Sequence, residues 1–262
     1  MMQNPKQQIV LKKSCAKCLT YFFIPTSILC IFFLVWAILE PSMVWVCIIL
    51  CVFLSFLPIS YFIIVSNGKK CVKSPFNRQY PENLNPLTTN HNAFIIVHSP
   101  GDNMVYAGID NLINKFTATK NPFRIYDCNN PDEFKTVVAN EKAKRLWIFG
   151  HGWRGGITFK GQRPLWNSLP FKAKNNTYFS YCDLIENDLN TYPSKDFVAQ
   201  LHCNHFSKKH ASNRPLPEFL MENNLGKDNY HVSDSKNNPI SVYFTTKKLV
   251  TNIKRNPAIH DE

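Results

Sequence analysis

Two residues in this chain have side chains suited to nucleophilic catalysis and sit at the ends of apolar runs. His151 follows Arg145–Phe149 (RLWIF) in the stretch Gly150-His151-Gly152, and Cys203 follows Phe197–Leu201 (FVAQL). A neutral thiol attacks carbonyl carbon poorly, but an adjacent imidazole can take its proton and later return it to the leaving group. Gly152 would let a backbone N–H approach a developing oxyanion, with the N–H of Cys203 as a second donor. This chemistry calls for no cofactor.

Other residues compete for these roles. Cys182 also follows an aromatic stretch (TYFSYC) and is a second candidate thiol, although FVAQL makes the better buried strand. His151 can equally cap a turn. His202, Cys203, His205 and His210 contain zinc-ligand types, but four ligands within nine residues lack the usual paired spacing.

The elements around these residues read as alternating strands and helices. Ala93–His98 is a nearly continuous apolar run, expected of a strand covered on both faces. Val105, Ile109, Leu112, Ile113 and Phe116 recur at helical spacing. Phe123–Tyr126 reads as a second strand. Asn130-Pro131-Asp132-Glu133 reads as a capped helix start, with Phe134, Val137 and Val138 on its buried side. RLWIF is the third strand and FVAQL the fourth. Between them Gly155–Gly161 suggests a small hairpin, Asn176–Tyr181 a strand or helix entry, and Asp183–Leu189 a helix. Pro217–Asn223 suits a short helix, and Asn229–Val232 and Ile240–Phe244 suit two late strands. The β-α-β-α-β order predicts an α/β domain over residues 93–262 with a mainly parallel sheet. Sites in such sheets lie beyond the carboxyl ends of the strands, where His151 and Cys203 fall.

A strand ending in His-Gly, followed 52 residues after the His by a strand-end Cys, resembles the caspase/legumain/gingipain clan of cysteine peptidases. The likeness covers roughly residues 93–245 by order of elements, and PLPEFLMENN resembles the helix that follows the nucleophile strand in that clan. The resemblance implies a three-layer α-β-α sandwich, with His151 as general base, Cys203 as nucleophile and a peptide or protein substrate. Members that cleave after basic residues or asparagine carry an acidic residue two places before the Cys, and caspases carry glutamine. Here Leu201 stands there, so specificity does not carry over. The loop after the first strand, Ser99-Pro100-Gly101-Asp102-Asn103, holds one charge, Asp102. Its carboxylate could pair a substrate Lys or Arg, or cap the helix that follows.

Two other functions compete. One is a catalytically silent caspase-like module used for docking or signalling. The other is an α/β-hydrolase-type esterase, since His151-Gly152-Trp153-Arg154-Gly155-Gly156 is similar to the oxyanion loop of that fold. No G-x-S-x-G elbow occurs, however, and fewer than 120 residues follow His151.

Before this domain the composition changes sharply. Leu19–Leu39 and Met43–Val65 are uncharged runs of 21 and 23 residues. Each exceeds the roughly 20 helical residues needed to cross a hydrocarbon core. They predict a two-helix transmembrane hairpin over 19–65, preceded by an N-terminal segment (1–18) and followed by a polar linker (66–92). Lys6, Lys12, Lys13 and Lys17 flank the first run, and Lys69, Lys70, Lys73 and Arg78 the second. The turn Glu40-Pro41-Ser42 has no basic residue, so both termini and the soluble domain are expected in the cytoplasm. Nine cysteines are present, but only Cys128, Cys182 and Cys203 lie in the soluble part, which is no disulfide framework. The formal charge of +12 divides equally between residues 1–89 and 90–262. A mildly basic surface favours membrane lipid as a partner, and without a dense Lys/Arg run with interleaved aromatics nucleic acid is not expected.

Overall fold

The inner strands are mainly apolar because both of their faces are covered. In the computed structural model β2 (His91–Val97), β3 (Phe123–Cys128), β4 (Ala143–Phe149) and β8 (Phe197–Gln200) pair in parallel. With β1 (Arg78–Gln79) and β9 (Tyr230–Val232) they form one six-stranded sheet of order β1-β3-β2-β4-β8-β9. The structure describes residues 26–73, 78–79, 89–97, 104–159, 177–184, 192–205, 213–221, 226, 229–233 and 236–253.

Side-chain alternation along the strands separates two apolar clusters. Phe94, Ile96, Trp147, Phe149 and Ala199 share a cluster with Ile109, Leu112, Ile113 and Phe116 of α3 (Ile109–Ala118). Ile95, Val97, Leu146, Ile148 and Val198 share the other with Phe134, Val137 and Val138 of α4 (Pro131–Ala139). Helices therefore flank the sheet on both faces. A second sheet joins the α4 side: β5 (His151–Trp153), β6 (Gly156–Phe159) and β7 (Thr177–Ser180) run antiparallel, contributing Ile157, Phe159 and Phe179.

Local chemistry sets the helix starts. Asn130 caps α4 by accepting from the Glu133 N–H at 2.9 Å, while the Glu133 carboxylate accepts from the Asn129 N–H at 2.6 Å. Leu220 of the short α5 (Pro217–Leu220) is buried with the α4 cluster.

One expected strand is corrected. Ile240–Phe244 belongs to α6 (Pro239–Ile253), not to a strand. Its β-branched residues suggest a strand, but Asn238 and Ser241 close a reciprocal cap. The Ser241 N–H donates to Asn238 Oδ1 and the Asn238 N–H to Ser241 Oγ, both at 2.8 Å, with Pro239 at the first helical position. Val242 and Val250 then bury in the α3 cluster, and Asn111 Nδ2 ties α3 to the Tyr243 carbonyl at 3.0 Å. Tertiary packing overrides the local preference.

The chain divides into two units, residues 1–66 and 67–262. Among the described residues, one helix over Pro41–Val72 is long and apolar enough to cross a membrane. It comprises a 3-10 turn, Pro41–Met43, and α2 (Val44–Val72), and a shorter apolar helix, α1 (Thr26–Leu39), precedes it. Residues 19–25 of the expected first span lie outside the described residues. Cys30 Sγ lies 4.0 Å from the Cys51 carbonyl oxygen and Cys51 Sγ 3.7 Å from that of Cys30, so α1 and α2 meet there. Most of their apolar surface is uncovered, Phe53 being 67% exposed. The second helix ends seven residues beyond Val65, and Val72 is buried within the second unit's own core.

The cap on α4 yields a stability test. Asn130→Ala should lower unfolding free energy by about 1 kcal/mol, and Asn130→Asp should cost much less, because Asp caps about as well. Urea denaturation of the two variants at unchanged slope checks this.

Candidate active site

The site begins with register. β4 and β8 pair Leu146 with Val198, Trp147 with Ala199 and Ile148 with Gln200. The Leu201 N–H continues the ladder to the Ile148 carbonyl at 2.8 Å. His151 and Cys203 each lie three residues beyond the last pair, on the same carboxyl edge of neighbouring strands. Strand order reverses one strand away, between β2 and β4, so this edge adjoins the position at which open α/β sheets form their crevices.

Two glycines let the chain turn over this edge. A Cβ on Gly150 would lie 2.7 Å from the Val97 carbonyl oxygen, so only glycine passes the end of β2 so closely. A Cβ on Gly152 would lie 2.5 Å from the Gly156 carbonyl oxygen and 2.9 Å from His202 Nδ1. The His202 ring thus packs directly against the Gly152 backbone. His151 itself, the first residue of β5, is exposed, and Cys203 is half-buried.

By sequence His202 is only a candidate zinc ligand, yet it anchors the candidate site. Its Nδ1 lies 2.9 Å from the Cys203 carbonyl and its Nε2 lies 2.8 Å from the Tyr181 hydroxyl. A carbonyl only accepts, so Nδ1 carries the hydrogen and Tyr181 donates to Nε2. Burial pushes the His202 imidazole down to about 4, and nearby His151 adds to the effect, outweighing the bond to Cys203. Burial likewise raises the Tyr181 phenol well above its ordinary range. His202 is therefore a neutral spacer of fixed tautomer.

Three further polar residues, Gln200 and Asn204 buried and Asn237 half-buried, complete the frame. Gln200 Nε2 donates to the Arg154 carbonyl at 3.0 Å and to Asn204 Oδ1 at 2.9 Å, while its Oε1 accepts from the Leu216 N–H at 2.7 Å. Asn204 Nδ2 donates to the Gln200 carbonyl at 3.0 Å. Asn237, in the loop before α6, donates through Nδ2 to the His202 carbonyl. A signal for part of this frame is present in VAQLHCN: Gln200, His202 and Asn204 fall on one face at period two. Nothing local marks Asn237, which arrives from 34 residues downstream of Cys203.

Cys182 is placed elsewhere. β6 pairs Thr158 with His151 and Gly156 with Ser180, and the Tyr181 N–H donates to the Gly155 carbonyl at 2.8 Å. The chain reaches Cys182 past the opposite end of the small sheet from His151. Asp102 and His210 lie outside the described residues. Both His202 nitrogens are already engaged, and among the described residues no group of three His, Cys, Asp or Glu side chains is placed to hold a metal.

No protein-family model, curated protein or solved structure matches this chain.

The buried imidazole has a pH signature. His202 falls from 6.5 to about 4 on folding, as does His91, whose burial at the other end of the sheet is the main cause. Between those values the unfolded chain binds more protons than the folded one. Stability is therefore full above about pH 6.5 and lost as pH falls toward 4. In His202→Gln, proton uptake on unfolding across this window should drop by about one, read from the slope of unfolding free energy against pH. An unchanged slope would show that His202 does not enter the fold uncharged.

Proposed function

We propose that this chain is a membrane-anchored, caspase-like cysteine peptidase that hydrolyses peptide bonds through His151 and Cys203. The observation that carries the reading is the matched register of these residues, three positions past the last pair of adjacent parallel strands. A sheet flanked on both faces by helices is compatible with the three-layer α-β-α sandwich of that clan.

In this mechanism His151 takes the Cys203 proton as the sulfur attacks the substrate carbonyl carbon. The proton then passes to the departing amine as the C–N bond breaks. Water, deprotonated by His151, hydrolyses the thioester and returns the thiol. Gly152 suits the oxyanion role by its place in the hairpin. In a hairpin closed by a two-residue turn at Trp153/Gly156, antiparallel alternation puts Gly152 at a non-hydrogen-bonded position, with its N–H directed away from β6. Asp102 keeps its proposed roles, reading a basic substrate residue or capping the following helix.

The anchor is proposed to be a hairpin of α1 and α2, with both termini and the catalytic domain on the cytoplasmic side. It rests on the basic flanks, the neutral turn and the uncovered apolar surface of both helices. Membrane lipid and a peptide or protein are then the partners.

One observation favours a second reading, a catalytically silent docking module. The Cys203 thiol donates to the Asn237 carbonyl at 3.4 Å, a partner that cannot activate it. Alkylation separates the two readings. In an active dyad Cys203 should react with iodoacetamide ahead of Cys128 and Cys182, and His151→Ala should slow it by about tenfold or more. Equal labelling with and without His151 would favour the silent module.

A further inference from the structure

Asn237, two residues before α6, lies at the end of β8 and places three polar groups there. Its Nδ2 donates to the His202 carbonyl, its Oδ1 accepts from Ser233 Oγ at 3.2 Å, and its backbone carbonyl accepts from the Cys203 thiol at 3.4 Å. The peptide after Cys203 is fixed from the other side by His202 Nδ1 at 2.9 Å. Cys203 is thus held at its preceding carbonyl, its own carbonyl and its sulfur.

A carbonyl oxygen can only accept, so the thiol in this arrangement carries its proton and aims it at Asn237. The contact must break before the sulfur can attack anything. The bonds from the Asn237 side chain to His202 and Ser233 keep the carbonyl in place.

We propose that Asn237 is a positioning residue that holds Cys203 at rest as a protonated thiol, and that substrate engagement moves the thiol's hydrogen bond from the Asn237 carbonyl to His151. The proposal rests on the assignment of Cys203 as nucleophile. In the step, rotation of the Cys203 side chain breaks S–H···O and makes S–H···N. The proton then passes to the imidazole, the electron pair stays on sulfur, and no oxidant or other co-reactant is required. The device slows the thiol's reaction until a peptide occupies the crevice.

The test uses the full chain in lipid nanodiscs. Iodoacetamide alkylation of Cys203 at pH 7 is followed by peptide mass spectrometry, alongside the S–H stretching band isolated by subtracting the spectrum of Cys203→Ala. Asn237→Ala removes both side-chain bonds and should speed alkylation by about fivefold or more, the effect expected from losing one ordinary hydrogen bond. The S–H band should move toward that of a thiol free of a carbonyl partner. Adding His151→Ala should abolish the gain, because released sulfur needs the imidazole.

Unchanged or slower alkylation in Asn237→Ala, or a gain that persists without His151, overturns the proposal. Ser233→Ala, which loses a single bond to the same side chain, decides the matter if Asn237→Ala fails to fold. A smaller rise in rate supports the lock, and no rise sinks it. Failure of the peptidase reading looks different: Cys203 of the parent would already label equally with and without His151, and neither the parent nor Asn237→Ala would hydrolyse peptides.

Discussion

Everything at the carboxyl edge depends on the pairing of β4 with β8. Parallel strands buried on both faces have no wet side to mark their register, so packing has to fix it. Trp147 does this here. It pairs with the small Ala199, its ring centroid lies 4.6 Å from that of Phe197, and its indole N–H reaches Asn92 Oδ1 at 3.3 Å. Phe94 and Phe116 meet it edge-on at 6.4 and 5.9 Å. A slip of one residue would set a large side chain where Ala199 now sits and reverse the faces of Gln200, Cys203 and Asn204. The indole thus transmits core packing to the site several residues away.

Above that register sits a polar frame whose members are buried and joined to one another or to backbone. Gln200, His202 and Asn204 are each no more than 1% exposed. Buried polar groups cost stability when unpaired and confer rigidity when satisfied. These three link the β5–β6 turn, the strand end and the approach to α5 into one support. The neutral, fixed tautomer of His202 matters because a charge beside His151 would compete with that residue's own protonation.

Much of the sheet was legible in the sequence, because short apolar runs between turn residues have few alternatives. AFIIV, RLWIF and FVAQ all pair where the pattern places them, and the cap at Asn130 forms as its residue types suggest. Ile240–Phe244 has the residue types of a strand, but the Asn-Pro-x-Ser cap at its start commits it to a helix. The site was legible only where strand ends identify it. His151 and Cys203 stand at breaks in apolar runs, whereas the contributions of Asn237 and Tyr181 depend on loop placement that no local pattern encodes. The polar alternation at 200, 202 and 204 was a readable signal, hidden because the same histidine and cysteine also resemble metal ligands.

The central claim is that the β4–β8 register sets residues 151 and 203 side by side. Adjacent parallel strands run about 4.8 Å apart, within the Cα separation that a disulfide spans. The most direct measurement is therefore oxidative cross-linking of His151→Cys in the full chain, with the linked peptides identified by mass spectrometry. A dominant bond between positions 151 and 203, formed in the folded protein and lost on denaturation, is the expected result. A bond from position 151 to Cys182 instead, or none to either cysteine, would contradict the account.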